Sequence, residues 1–310
     1  FRSALRPAFA LATAGVLLTA IITGLGIWYF LSFGIIEALL FGSIVASTDA
    51  AAVFLLLRQR GVQLESAMSN TLEVESGIND PVAIFLTLTF VQLSLGSEIS
   101  DQWYHITLDL IRQMGIGAAF GYAGGKFLTW FFDRLELDSG LYPIFALAGG
   151  LLVFGATNML GGSGFLAAYI AGLILGNYEY KAKPVVHQFM GGIAWLSQLG
   201  MLLVLGLLVT PSELVVDIPT AVLIALILIF IARPSAVFLC LMFENFNYKE
   251  KLFISWVGLR GAIPIYLAII PVMLGKEGHY FNIAFIVVIC SLLLQGWTVR
   301  PMAKLLNVDR

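Results

Sequence analysis

Charge is what this chain has least of. Asp, Glu, Lys and Arg make up only 12% of its 310 residues, about half of the roughly 25% that a soluble domain carries. So sparse a supply cannot cover a water-facing surface, which excludes an ordinary soluble globule. Basic residues nowhere form a block and the formal net charge is −2. The chain therefore offers no footprint for a phosphate backbone, and no nucleic-acid partner is expected. Cysteine is nearly missing: Cys240 and Cys290 are the only two, and both lie in apolar runs that suit buried thiols rather than a disulfide framework. No signal peptide with a cleavage site is visible. Phe1 is not a start residue, so further chain is expected before it, and further chain after Arg310 is a second expectation. No cofactor and no enzymatic activity is expected.

What the chain has instead is apolar length. Hydrophobic residues make up 59% of it, and a membrane-spanning helix needs about 20 of them in a row. Ten such segments lie near 8–30, 36–57, 70–95, 106–132, 139–159, 163–177, 191–210, 218–243, 252–274 and 280–300. The sixth is short. Alternate connections hold Arg2 and Arg6; Arg58 and Arg60; Lys126 and Arg134; Lys181 and Lys183; Lys249 and Lys251; and Arg300, Lys304 and Arg310. The opposite connections hold Glu98, Asp101, Glu213, Asp217 and Glu277, with Lys276 as their clear cation. By the positive-inside rule the first set is cytoplasmic, together with both ends of this chain.

That orientation makes the chain a single all-α polytopic membrane domain over 1–310, with two inverted repeats at about 8–95 and 218–303. The middle segment of each triplet is interrupted. Segment two contains Ser47-Thr48-Asp49, and segment nine contains Gly258-Leu259-Arg260-Gly261 followed by Pro264. Paired interruptions in corresponding positions of two inverted halves point to a transporter's binding site.

Five ionisable residues fall at bilayer depth: Asp49, Glu75, Asp80, Arg233 and Arg260. Each costs roughly 2.5–3.5 kcal/mol at the centre of a spanning helix on insertion scales, and is functional by default. With a rise of about 1.5 Å per residue, Asp80 lies ~15 Å into segment three and Asp49 ~12 Å into segment two. Two carboxylates at similar depth repel unless a cation lies between them or one is protonated. Ser76 and Asp80 are four apart and share a helix face, so a hydroxyl and a carboxylate can serve one ion. Oxygen ligands of this kind suit a hard alkali cation. Asp49 ahead of Ala50-Ala51-Ala52 also reads as the N-cap of an intramembrane half-helix, with Thr48 facing the break. Glu75 lies on another face, which gives it a structural role. A buried guanidinium needs a carboxylate partner; Glu75 suits Arg233, while Arg260 either joins that pair or caps the carbonyls of a broken helix.

At these residues the chain resembles a known family. Ser47-Thr48-Asp49-Ala50-Ala51-Ala52-Val53-Phe54, then Glu75-Ser76-Gly77-Ile78-Asn79-Asp80-Pro81, then Gly258-Leu259-Arg260-Gly261-Ala262 resemble the signatures of sodium/proton exchangers. More narrowly they resemble the bacterial NhaP-type potassium/proton antiporters associated with cell-volume regulation. The resemblance runs over essentially the whole chain. It implies thirteen helices, of which these ten are the fourth to thirteenth; a crossed pair of discontinuous helices; a homodimer; and a bacterial inner membrane. It also implies cytoplasmic regulatory domains beyond Arg310. It makes Asp80 the ion- and proton-binding carboxylate, with Thr48, Asp49 and Ser76 as further ligands of a monovalent cation and Asn79 within the same ion- and proton-binding group, and it pairs Glu75 with Arg233. One departure stands out. Many sodium exchangers have Thr-Asp-Pro where this chain has Thr48-Asp49-Ala50, which favours K⁺ over Na⁺.

The expected function is exchange of K⁺, with Na⁺ as the other candidate, for H⁺ by competition at Asp80. Because Asn79 rather than a second acid stands beside Asp80, exchange of one cation for one proton, hence electroneutral, is expected. A cation channel is the alternative, since the same polar residues can line a pore. Less favoured is an intramembrane serine protease. Gly161-Gly162-Ser163-Gly164 has the look of one, but a serine nucleophile needs a base, and His105, His187 and His279 all lie in or beside loops.

Overall fold

The structure, a computed structural model, describes residues 2–59, 64–95, 102–134, 138–180, 182–276 and 278–308. Arg60, Glu98, Asp101, Lys181, Glu277 and Arg310, all used in the loop-charge argument, lie outside the described residues. Among the described residues the regular elements are helices: α1 (Arg2–Ala10), α2 (Val16–Leu31), α3 (Ile35–Ile44), α4 (Ala50–Gln59), α5 (Ser66–Ser94), α6 (Gln102–Arg134), α7 (Tyr142–Met159), α8 (Gly164–Asn177), α9 (Lys183–Leu207), α10 (Pro211–Ile227), α11 (Arg233–Cys240), α12 (Tyr248–Trp256), α13 (Ile263–Met273), α14 (Tyr280–Ser291) and α15 (Trp297–Leu306). Three π-helical turns, Leu11–Gly15, Leu228–Ala232 and Leu292–Gly296, join α1 to α2, α10 to α11 and α14 to α15. The second turn has a local cause. Pro234 has no N–H to continue the i→i−4 ladder, so the turn before it widens.

Each of the ten apolar segments is helical, and the second and ninth are each split into two half-helices. Among the described residues six helical stretches, three of them continuous through the π-helical turns, are long and apolar enough to cross a bilayer: Ala4–Leu31, Ser66–Ser94, Tyr142–Met159, Lys183–Leu207, Pro211–Cys240 and Tyr280–Leu306. The half-helices are too short to do so alone at about 1.5 Å per residue. Helix α5 continues unbroken through Pro81. Several basic residues read as loop residues occupy helix ends instead, among them Lys183 in α9, Lys249 and Lys251 in α12, and Arg300 and Lys304 in α15; Lys126 lies within α6.

Asp217 departs from the sequence reading. The loop-charge pattern puts it in an outer connection, but Pro211 starts α10 after Thr210, since a missing N–H costs nothing at a first helical turn. Asp217 is thus helical and buried. Its carboxylate is satisfied by His279 Nδ1 at 2.9 Å and by the amide of Asn282 at 3.2 Å, which makes burial affordable.

The chain divides into two compact units, Phe1–Ser97 with Leu205–Arg310, and Glu98–Val204. In the first, small residues let backbones meet. A Cβ on Gly42 of α3 would lie 2.2 Å from the carbonyl oxygen of Ala20 in α2, so only glycine permits this crossing. Leu57, Leu72, Val237, Phe253, Leu259 and Val299 then bury in one apolar cluster that packs the half-helices α4 and α12 against α5, α11 and α15. The second unit uses the same device, as expected where packing rather than water drives association. Gly117, Gly121 and Gly125 line the face of α6 against α8, and a Cβ on Gly121 would come 2.7 Å from the Ala167 carbonyl. Ser163 is explained here. Its hydroxyl accepts from Leu166 N–H at 3.3 Å and caps α8, an N-cap role.

Candidate functional site

Unwound backbone at membrane depth is tolerated only where other groups satisfy it, because each bare N–H or C=O costs several kcal/mol there. In the first unit that satisfaction can be traced group by group. Residues 45–49 separate α3 from α4. The carbonyls of Ala46 and Ser47 both accept from Nη1 of Arg260, at 2.6 and 2.5 Å. The carbonyl of Thr48 accepts from Ser76 Oγ at 3.2 Å and from Asn79 Nδ2 at 3.1 Å. Asp49 N–H donates to the Leu259 carbonyl at 2.8 Å. Ala50 N–H donates to Ser76 Oγ at 3.1 Å, and Asp49 Oδ1 accepts from Ala52 N–H at 3.3 Å, the N-cap geometry expected of it.

The second break, 258–262, is held in the same manner. The Trp256 carbonyl at the end of α12 accepts from Gln295 Nε2 at 2.7 Å, and Arg260 N–H donates to Ser291 Oγ at 3.1 Å. The two unwound segments therefore cross, joined by the Asp49–Leu259 backbone bond and by the Arg260 side chain. Glycine is obligatory at the crossing. A Cβ on Gly261 would lie 2.3 Å from Asp49 Oδ2, and one on Gly258 would lie 2.7 Å from Arg233 Nε.

The buried charges sort themselves. Glu75 and Arg233 form a two-pronged pair, Nη1 to Oε1 at 2.7 Å and Nη2 to Oε2 at 3.0 Å, with side chains 1% and 3% exposed. Thr48 Oγ1 adds a long donor contact to Glu75 at 3.5 Å. Arg260, 1% exposed, takes the second of the two roles open to it. It caps the C-terminal carbonyls of the other broken helix, where a cation meets the negative end of the dipole. Among the described residues, Asn79 Oδ1, Arg233 Nε and Arg260 Nη2 are buried without a hydrogen-bond partner.

Asp80 is treated differently. Ser47 Oγ donates to its Oδ1 at 2.5 Å, and the Asp49 carboxylate is near enough to act on it electrostatically. No arginine is paired with Asp80 among the described residues. Thr48 Oγ1 accepts from Asn79 Nδ2 at 2.6 Å and keeps one lone pair, as does Ser76 Oγ. Both lone pairs of the Thr48 carbonyl are taken. Thus Thr48, Asp49, Glu75, Ser76, Asn79, Asp80, Arg233 and Arg260 all converge on the crossing. Sequence reasoning missed Ser47, the direct partner of Asp80, and Ser291 and Gln295, which hold the second break. Ser47 opened the quoted motif, but its partner stands 33 positions away. Ser291 and Gln295 carried no signal beyond being polar in an apolar run.

The chain is similar to known proteins over essentially its whole length. The chain is 43% identical over its whole length to the K⁺/H⁺ antiporter NhaP of Alkalimonas amylolytica and 44% identical to the K⁺/H⁺ antiporter NhaP2 of Shewanella baltica. It covers 54% of each, so it spans about half the length of these curated relatives. The structure of the sodium proton antiporter MjNhaP1 from Methanocaldococcus jannaschii superposes with a TM-score of 0.80 at 25% identity, covering 98% of this chain and 79% of that one. The profile of the family described as sodium/hydrogen exchanger, transmembrane, matches residues 1–305. This chain, all-helical and built around two crossed broken helices, belongs to the transmembrane sodium/hydrogen exchanger family.

Proposed function

We propose that this chain is the translocating part of a secondary antiporter that exchanges K⁺ for H⁺ by competition at Asp80. The observation that carries the reading is the unequal treatment of the buried charges. Glu75 and Arg233 neutralise each other in a two-pronged pair, and Arg260 holds two backbone carbonyls. Asp80 has a single hydroxyl partner and a second carboxylate beside it, the arrangement that a cation or a proton relieves. Asp49, with one lone pair each on Thr48 and Ser76, supplies further oxygens of the kind an alkali ion takes. Asn79 fixes Thr48 and puts an amide where a second acid adjoining Asp80 in the chain would stand, which supports one-for-one, electroneutral exchange. The names of the relatives at 43–44% identity support K⁺ over Na⁺.

The two interrupted helices, α3–α4 and α12–α13, are the corresponding middle elements of inverted repeats at about 8–95 and 218–303. The protein resides as a homodimer in a bacterial inner membrane, with both ends of this chain cytoplasmic. The test is full-length protein in liposomes with an internal pH dye, pulsed with K⁺ and separately with Na⁺. Wild type alkalinises the lumen on a K⁺ pulse, Asp80→Asn does not, and no current accompanies exchange. Exchange that survives Asp80→Asn removes Asp80 from the mechanism, and current carried without saturation or proton movement favours a channel.

A further inference from the structure

We infer that Ser291 and Gln295 are positioning residues for the ion site, acting on Asp80 through the unwound segment 258–262. The inference rests on the exchange reading above for its functional half only.

Both side chains are buried, at 0% and 1% exposure, in a helical stretch apolar and long enough to span a bilayer. Burying two polar side chains there is unfavourable unless each finds a specific partner. Each does, and both partners belong to the second break. Ser291 Oγ accepts the Arg260 N–H at 3.1 Å and donates to Gln295 Oε1 at 2.7 Å; Gln295 Nε2 donates to the Trp256 carbonyl at 2.7 Å. One amide and one hydroxyl thus occupy, in sequence, the last carbonyl of α12 and the N–H of the residue whose side chain reaches across the crossing. Trp256 is held from its other side as well, its Nε1 donating to Thr298 Oγ1 at 3.0 Å.

The backbone around the pair is modified too. The π-helical turn Leu292–Gly296 contains Gln295 and follows Ser291 directly, and such insertions occur frequently at functional sites. From Arg260 the connection runs on in two bonds. Its guanidinium holds the Ala46 and Ser47 carbonyls, and Ser47 Oγ holds Asp80. A shift of the Arg260 backbone therefore moves the hydroxyl that Asp80 sees, without touching Asp80 itself. Neither Ser291 nor Gln295 lies within hydrogen-bond reach of Asp80, so the effect travels through position.

Two readouts on the full-length protein test this. Hydrogen exchange of the peptide spanning 257–262 reads the tether with no reference to transport. Ser291→Ala and Gln295→Met accelerate that exchange about tenfold or more, while Ser291→Thr, which keeps the hydroxyl, leaves it near wild type. Counterflow in liposomes reads the function. Ser291→Ala raises the apparent KM for K⁺ roughly three- to tenfold with Vmax within about twofold, and Ser291→Thr restores the KM. Unchanged hydrogen exchange in both Ser291→Ala and Gln295→Met overturns the tether. Accelerated exchange with an unaltered KM makes the pair structural only and overturns the positioning role. If wild type itself shows no counterflow, the exchange reading falls with its functional half, and the amide data still decide the tether.

Discussion

Replacing Arg233 with Met tests the central energetic claim about the site, that the Glu75–Arg233 pair is structural and compensated. The two bonds, at 2.7 and 3.0 Å, join groups 1% and 3% exposed. Arg233→Met leaves Glu75 as a buried carboxylate whose remaining contact is the 3.5 Å approach of Thr48 Oγ1. Breaking one side of a buried pair costs about 3–5 kcal/mol, whereas replacing both partners by apolar groups of similar volume is often near neutral. At roughly 2 °C per kcal/mol for a domain of this size, Arg233→Met and Glu75→Leu each lower the melting temperature by about 6–10 °C. The double variant recovers most of that loss. Tryptophan fluorescence during a thermal ramp of the solubilised protein reads all four corners of the cycle. Two results refute the reasoning: a single variant that melts within about 2 °C of wild type, or a double variant no more stable than its weaker parent. The first means the pair is not buried as described, and the second that its partners do more than neutralise each other.

Two further outcomes follow from close approaches. Gly261→Ala places a methyl 2.3 Å from the Asp49 carboxylate, which forces the crossing apart; K⁺ exchange falls at least tenfold while Gly34→Ala, with open space around its Cβ, exchanges normally. Gly121→Leu drives a side chain into the Ala167 backbone and separates α6 from α8, at a cost of about 1–3 kcal/mol or more from overpacking. It is read as a lower melting temperature, and Gly115→Leu, whose Cβ meets nothing, serves as the control.

The legible part of this protein was set by solvent and by charge. Ten apolar segments follow from the length a bilayer demands, and the scarcity of charge made Asp49, Glu75, Asp80, Arg233 and Arg260 conspicuous one by one. Local spacing also carried Asp49 to its N-cap and Glu75 to a face away from Asp80, because both follow from helical periodicity. What spacing cannot carry is contact between distant segments. Whether Arg260 joined Glu75 or capped a broken helix depended on which unwound backbone it met, and Ala46 and Ser47 lie more than 200 positions away. Asp217 looked like a loop acid until His279 and Asn282 were brought beside it. Ser291 and Gln295 are ordinary polar residues in apolar runs, and nothing in their neighbours distinguishes them; Ser47 opens a conspicuous motif, but the carboxylate it meets stands 33 positions away. Sequence determined by itself which groups the membrane would force to find partners; only the tertiary structure, by crossing two broken helices, decided who the partners are and left Asp80 with the fewest.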